Sequence, residues 1–156
     1  MAGERGAAIE VLARGVCVRG KRLLLCHTRG AKNTYLPGGH VEFGEPAARS
    51  LEREIREELG RRARARGFLG AVEHRFTQRG RRHCEINLVF AVTMAGLHPA
   101  RPPRSREGHL DFRWVPLSRL REARLEPRPL CRLLPRWLKS RRAGGPRWAS
   151  TYPDPS

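Results

Sequence analysis

The segment from Pro46 to Leu59 constrains the fold of this 156-residue chain more than any other. It contains no Gly, and no Pro after its first position; Pro46 suits the first helical turn and Gly60 the residue just past the helix end. At about 100° per residue, one side of this helix carries an apolar stripe of Leu51, Ile55 and Leu59. The adjoining sectors carry three carboxylates, Glu54, Glu57 and Glu58. The sequence therefore predicts an amphipathic helix that packs on a core and holds acidic groups beside that core.

Three carboxylates crowded beside an apolar stripe repel one another, and burial penalises their charged forms. A cation among them would offset both effects. Mg²⁺ is the natural choice, because it prefers carboxylate oxygens together with waters and bridges to phosphates. The alternative is a solvated acidic helix face, which the three glutamates taken alone favour.

The rest of the chain predicts a single α/β domain. Its strands are expected at 9–18 and 23–25, forming a hairpin across Gly20-Lys21, and at 35–41, 68–76, 84–95 and 112–115. A long surface loop is expected over residues 96–110, and a last helix from Pro129. The predicted boundaries are a flexible N-terminus at 1–8, one domain at 9–141 and a disordered C-terminal tail at 142–156.

The spacing of polar residues from Gly39 to Arg61 resembles the Nudix box, Gly-x5-Glu-x7-Arg-Glu-U-x-Glu-Glu-x-Gly-U, where U is a bulky aliphatic residue. The positions that match are Gly39, Glu45, Arg53, Glu54, Ile55, Glu57, Glu58 and Gly60. The final U is occupied by Arg61, which threatens packing at the helix end more than catalysis. The resemblance implies an α/β/α sandwich with a central mixed β-sheet.

The resemblance also implies an enzyme, a Nudix hydrolase that uses Mg²⁺, with Mn²⁺ as a substitute, to hydrolyse the diphosphate linkage of a nucleoside diphosphate derivative. Nucleoside triphosphates and nucleotide sugars belong to that class. The metal site would comprise Glu54, Glu57, Glu58 and the carbonyl of Gly39, while Glu45 and Arg53 would form a supporting ion pair. Glu54 is one candidate for the general base.

Further candidate site residues lie outside the box. Glu107 stands in the long loop just before a predicted strand, where many members of the family supply another carboxylate, so it is the second candidate base. Arg29 could bind a phosphate through its planar donor fork, and Glu85 and Asn87 could line a substrate pocket. An exposed loop glutamate, an ordinary surface arginine and an exposed sheet face are the alternatives. No mark outside the box identifies the substrate.

A formal net charge of +17 favours anionic partners. Because the arginines are spread along the whole chain, a GC-rich genome explains the charge as well as selection for binding does. A catalytically silent Nudix-fold domain that binds RNA or nucleotides through its basic surface is therefore the alternative function. The chain shows no apolar run that could span a membrane and no secretion signal, so we expect a cytoplasmic protein with no membrane partner. Formation of a homodimer is left open.

Overall fold

The computed structural model describes residues 7–139 and 147–152. Within those ranges the chain forms eight β-strands and two α-helices. In chain order they are β1 (Ile9–Val16), β2 (Val18–Arg19), β3 (Arg22–Thr28), β4 (Gly38–His40), α1 (Ala47–Leu59), β5 (Ala63–Gln78), β6 (Arg81–Met94), β7 (Leu110–Pro116), α2 (Leu130–Lys139) and β8 (Trp148–Ser150).

The strands form two sheets. The larger has the order β4-β1-β6-β5-β8, and the smaller has the order β2-β3-β7. The larger sheet is mixed, because β1 runs antiparallel to β4 and parallel to β6. One hydrophobic core packs against α1 and a second packs against α2. The α/β/α sandwich around a mixed sheet that the sequence predicted is confirmed.

Helix α1 has the predicted ends. Pro46 is its extended N-cap, and Gly60 ends it in the left-handed conformation with φ of 64°. The N–H of Gly60 donates to the carbonyl of Arg56 at 2.8 Å, which satisfies one of the carbonyls left over at the helix end. Leu51 and Ile55 are fully buried, so the apolar stripe fixes the rotation of the helix and with it the side on which the glutamates lie.

Strands β5 and β6 form a long hairpin, and each of the two strands is longer than the sequence predicted. Its turn consists of Arg79 and Gly80, whose φ values of 50° and 75° match the two positive φ angles that a type I′ turn requires. The predicted long loop follows β6 and ends at β7, which spans Leu110–Pro116.

The predicted hairpin across Gly20-Lys21 is present, but it joins β2 to β3 and does not include β1. Strand β1 pairs with β6, and β3 pairs with β7. The difference arises because both strands find partners more than 50 residues away in the chain, and local sequence does not encode such pairings.

The predicted disordered tail contains a strand. β8 extends the larger sheet by pairing in parallel with Ala71–Glu73 of β5, and Thr151 donates its backbone N–H to the carbonyl of Glu73 at 3.0 Å. Backbone groups at the edge of β5 are thereby satisfied, which explains why Trp148–Ser150 forms a strand there. The predictions for residues 1–6, 140–146 and 153–156, including the domain end at 141, lie outside the described residues.

No helix in the described part of the chain is long and apolar enough to cross a membrane. The four cysteines are free thiols, and Cys17 and Cys26 are buried. Burial raises the pKa of both thiols, so they behave as small apolar core residues.

Candidate active site

Glu54 lies directly against the backbone of Gly39. A Cβ built on Gly39 would stand 2.5 Å from the Glu54 carboxyl carbon and 2.6 and 2.7 Å from its oxygens. Only a glycine leaves room for this approach, so strand β4 and helix α1 bring a backbone peptide and a carboxylate together. Sequence spacing predicted both residues as site members, and the structure places them side by side.

Glu58 is one turn further along α1 and is 5% exposed. Burial is the main cause that raises the pKa of its carboxyl to about 8, and the charges of Glu54 and Glu107 raise it further. The opposing influences are the positive charge of Arg14 and the backbone N–H of Gly38, which donates to the carboxylate at 3.4 Å. Glu54, Glu58 and Glu107 therefore form one acidic region, in which the charges of Glu54 and Glu107 both act on Glu58.

Glu107 reaches that region because its loop is fastened to the end of α1. The backbone N–H of Arg106 donates to the carbonyl of Glu58 at 2.7 Å. The hydroxyl of Ser105 donates to the carbonyl of Glu107 at 2.9 Å, and the backbone N–H of Glu107 donates to the same hydroxyl at 3.0 Å. These contacts position a loop residue that sequence patterns alone could not place.

Arg53 is the cation among the remaining glutamates. Its guanidinium donates to Glu45 at 2.9 Å, to Glu54 at 3.0 Å and to Glu57 at 3.2 Å. The pKa of Arg53 is raised, first by the hydrogen bond that Arg53 donates to Glu45, and the same bond holds the pKa of Glu45 below its usual value. The Glu45–Arg53 pair lies where the sequence predicted a supporting ion pair. The same arginine keeps Glu57, which is about half exposed, beside Glu54.

Among residues 7–139 and 147–152, no three His, Cys, Asp or Glu side chains form a group that could hold a metal ion by themselves. Glu54 lies against Gly39, and Glu58 accepts the N–H of the neighbouring Gly38 at 3.4 Å. Glu57 bonds Arg53, as Glu54 does, but its side chain is about half exposed. The predicted set of metal ligands is therefore brought together in part.

A cavity of about 880 Å³ is linked to the acidic region by Arg14, which lines the cavity and donates to the carbonyl of Gly38 at 3.1 Å. Glu85 and Asn87 of β6 both line it, as does Arg29. Arg29 is not a free cation, because its guanidinium donates to both carboxylate oxygens of Asp111 at 3.1–3.2 Å. Asn87 is 1% exposed and donates to Glu85 at 3.3 Å, so the two polar side chains form one connected wall.

An aromatic surface forms another wall of this cavity. The rings of His74 and Phe76 stack with centroids 5.0 Å apart, and Phe76 stacks on His83 at 4.8 Å. Burial lowers the pKa of His74, which favours its neutral ring. Such a surface can stack on a planar base.

Sequence reasoning missed Arg14, which connects the cavity with the acidic region. Arg14 donates to the carbonyls of Leu36 and Gly38 at 3.2 and 3.1 Å and to the side chain of Asn87 at 3.3 Å. An arginine in the middle of an apolar strand is the signal that could have revealed it, but arginines are too frequent in this chain for the signal to stand out. Asp111 was missed as well, because its partner Arg29 is 82 positions away.

Comparison with known proteins gives one family. The family model described as NUDIX domain matches residues 10–134. A MutT protein from Methanosarcina mazei Go1 has a TM-score of 0.67 and 20% identity, over 88% of this chain and 99% of that one. A MutT NUDIX hydrolase from Burkholderia pseudomallei has a TM-score of 0.56 and 28% identity, over 70% and 84%. A UDP-X diphosphatase has a TM-score of 0.63 and 20% identity, over 92% and 68%. No curated protein matches the chain in sequence.

Proposed function

The chain belongs to the NUDIX family, and from this membership we propose that it hydrolyses the diphosphate linkage of a nucleoside diphosphate derivative with the help of Mg²⁺. The observation that carries the proposal is the meeting of Glu54 with Gly39 and of Glu58 with the neighbouring N–H of Gly38, which Arg14 links to a cavity of about 880 Å³. A similar structure is named a UDP-X diphosphatase, and that name describes the same class of substrate.

The residues present fit a hard divalent cation. Mg²⁺ in proteins usually takes one or two carboxylates, several waters and the phosphates of the substrate, so it needs no closed cage of protein ligands. Glu54, Glu58 and the carbonyl of Gly39 would hold it, and Glu57 would add a negative charge. The Glu54 carboxylate lies so close to the backbone of Gly39 that a Cβ on Gly39 would occupy the space between them, which supports this assignment. Mn²⁺, which also favours oxygen ligands, is the alternative ion.

When bound, such an ion supplies neutralisation of the phosphate oxygens and a lower pKa for water. The side chains of the protein accept the proton of water and position the carboxylates. Glu107 or Glu54 accepts the proton of the attacking water, and both carboxylates lie in the same acidic region. Arg53 holds Glu45 and Glu57 in place, while Arg14 holds the carbonyl of Gly38 at the start of β4.

We assign the nucleoside part of the substrate to the large cavity. The stacked rings of His74 and Phe76 offer a face for a base. The polar wall of Glu85 and Asn87 offers hydrogen bonds to its edge. Arg29, held by Asp111 at the rim, offers a positive charge to a phosphate.

The test is a panel of nucleoside triphosphates, nucleotide sugars and other nucleoside diphosphate derivatives incubated with Mg²⁺, with products identified by mass spectrometry. Glu58→Gln should abolish turnover, because it removes a negative ligand and keeps the shape of the side chain. Glu52→Gln is the matched control on the same helix, because the carboxylate of Glu52 accepts hydrogen bonds from Arg49 and from the backbone N–H of Ala65, both outside the proposed site. No turnover on any substrate, together with tight and salt-sensitive RNA binding, would favour the silent RNA-binding domain that the charge of +17 suggests.

A further inference from the structure

A second cavity, of about 640 Å³, lies beside the large one. Asn33 and Glu126 line both cavities, so the two share a wall. The second cavity is formed where the segment after β3 meets the residues that lead into α2. Nothing in the reaction proposed above uses it.

Positive side chains dominate the second cavity. Its five cationic residues are Lys32, Arg121, Arg124, Arg128 and Arg132. In the described ranges of the chain, none of the five forms an ion pair with a carboxylate, in contrast to Arg29 and Arg53. The one acidic side chain in the lining, Glu126, accepts the backbone N–H of Arg128 at 3.1 Å. The cavity is therefore lined by five exposed positive side chains whose charge a bound anion would neutralise.

The backbone around these cations is fixed. Thr34 is fully buried, and its hydroxyl donates to the carbonyl of Ala123 at 2.8 Å. Its N–H donates to the carbonyl of Arg124 at 3.0 Å, and its carbonyl accepts the N–H of Glu126 at 2.8 Å. Thr34 thus takes part in three hydrogen bonds that join the two sides of the cavity. The backbone that carries the cationic side chains is therefore fixed before any ligand binds.

We propose that the second cavity binds a phosphate group of the substrate that lies outside the hydrolysed diphosphate. This inference rests on the proposed function, because it places the nucleoside in the large cavity and the diphosphate at Glu54 and Glu58. Arg14 joins the large cavity to the acidic region, and Asn33 and Glu126 join it to the cationic one. A nucleotide that spans all three regions carries phosphate on both sides of its nucleoside. The additional phosphate belongs either to a 2′- or 3′-phosphorylated ribose or to the next linkage of an RNA chain.

Binding measurements with ligands that lack a cleavable diphosphate test the proposal. Adenosine and guanosine 2′,5′- and 3′,5′-bisphosphates are compared with the 5′-(α,β-methylene)diphosphates, which carry the same number of phosphates in another place. An RNA pentanucleotide with a 5′-phosphate forms the third arm. Isothermal titration calorimetry should show a bisphosphate or the RNA binding about tenfold tighter than the methylene diphosphate. Preference for a bisphosphate identifies a ribose phosphate, and preference for the RNA alone identifies a polynucleotide.

The double variant Arg121→Gln with Arg128→Gln should remove this preference while the affinity for the methylene diphosphate stays unchanged. The matched control is Arg22→Gln with Arg113→Gln, which removes the same charge from exposed positions on β3 and β7 outside both cavities. Equal affinity for all ligands would overturn the proposal, and so would a preference that survives the Arg121 and Arg128 double variant.

Failure of this inference and failure of the proposed function give different results. Turnover of nucleoside diphosphate derivatives without any preference for the additional phosphate contradicts the inference alone. No turnover on the panel, with the preference intact and sensitive to Arg121 and Arg128, contradicts the hydrolase and supports the phosphate site.

Discussion

Two neighbouring glycines should respond in opposite ways to the addition of one methyl group. Gly39 has no positive φ, so its backbone accepts alanine, but the new Cβ would lie 2.5–2.7 Å from the carboxylate of Glu54. Gly38 has a φ of 132°, and its Cβ would lie 2.0 Å from the carbonyl oxygen of Ala13. The side chain of Glu54 can move aside, whereas the backbone of a central strand cannot.

The magnitudes follow from these contacts. Ordinary contact needs 3.4–4 Å, so Gly39→Ala displaces the Glu54 carboxylate by about 1 Å, and a misplacement of that size can cost about 100-fold in rate. Overpacking typically lowers the free energy of unfolding by about 1–3 kcal/mol. Gly39→Ala should stay near the lower end of that range, because the side chain of Glu54 is partly exposed and can move. Gly38→Ala adds backbone strain of about 1–3 kcal/mol to a clash of similar cost, so it should lower the free energy of unfolding by about 2–6 kcal/mol.

The assay combines urea unfolding with kcat and KM on the best substrate of the panel. Gly67→Ala is the matched control, because a Cβ at that position meets nothing within 4 Å and the φ of Gly67 is not positive. It should leave both stability and turnover close to the parent values. A Gly39→Ala protein with full kcat would refute the argument that the position of Glu54 limits the reaction. A Gly38→Ala protein as stable as the parent protein would refute the predicted clash with the carbonyl oxygen of Ala13 on β1.

Three further outcomes are expected. Glu107→Gln should lower kcat much more than it raises KM, and a parental kcat at saturating substrate and Mg²⁺ would leave Glu54 as the base. Glu57→Gln should lower turnover by orders of magnitude, whereas Glu45→Gln should act more mildly through local order; equal losses in the two kinetic series would contradict this division. The pKa of the Glu10 carboxyl is lowered, first by its hydrogen bond with His40. The ionised carboxyl should therefore stabilise the fold above pH about 4.5, and this stabilisation should be lost as the pH falls through the lowered pKa. Urea unfolding of Glu10→Gln between pH 3 and 6 should therefore show a shallower loss of stability toward acid, and a curve parallel to that of the parent protein would exclude the effect.

Sequence alone identified the parts of the fold that local chemistry determines. Helix α1 was predicted to within one residue, because Pro46 and Gly60 mark its ends and the apolar stripe sets its buried face. The turn at Arg79 and Gly80 depends on local chemistry in the same way, because positive φ angles favour glycine.

Long-range pairing was not predictable in the same way. The parallel pairing of β1 with β6 and the docking of β8 on β5 join segments more than 70 residues apart, and no residue type in these strands specifies the partner. The same limit applied to the site. The Glu45–Arg53 pair lies within one motif, whereas the contacts of Arg14 with Gly38 and Asn87 depend on three strands from different parts of the chain.

Arg14 also explains why the acidic region and the large cavity can act as one site. Its guanidinium donates to the Gly38 carbonyl on one side and to Asn87 on the other, and its charge lowers the pKa of Glu58 against the effect of burial. Because the same guanidinium donates to the carbonyl of the peptide that precedes Gly39, the polar wall of the cavity and the peptide that lies against Glu54 share one hydrogen-bonding partner. A hydrolase whose reaction depends on a correctly seated nucleoside needs such a connection between the cavity and its carboxylates.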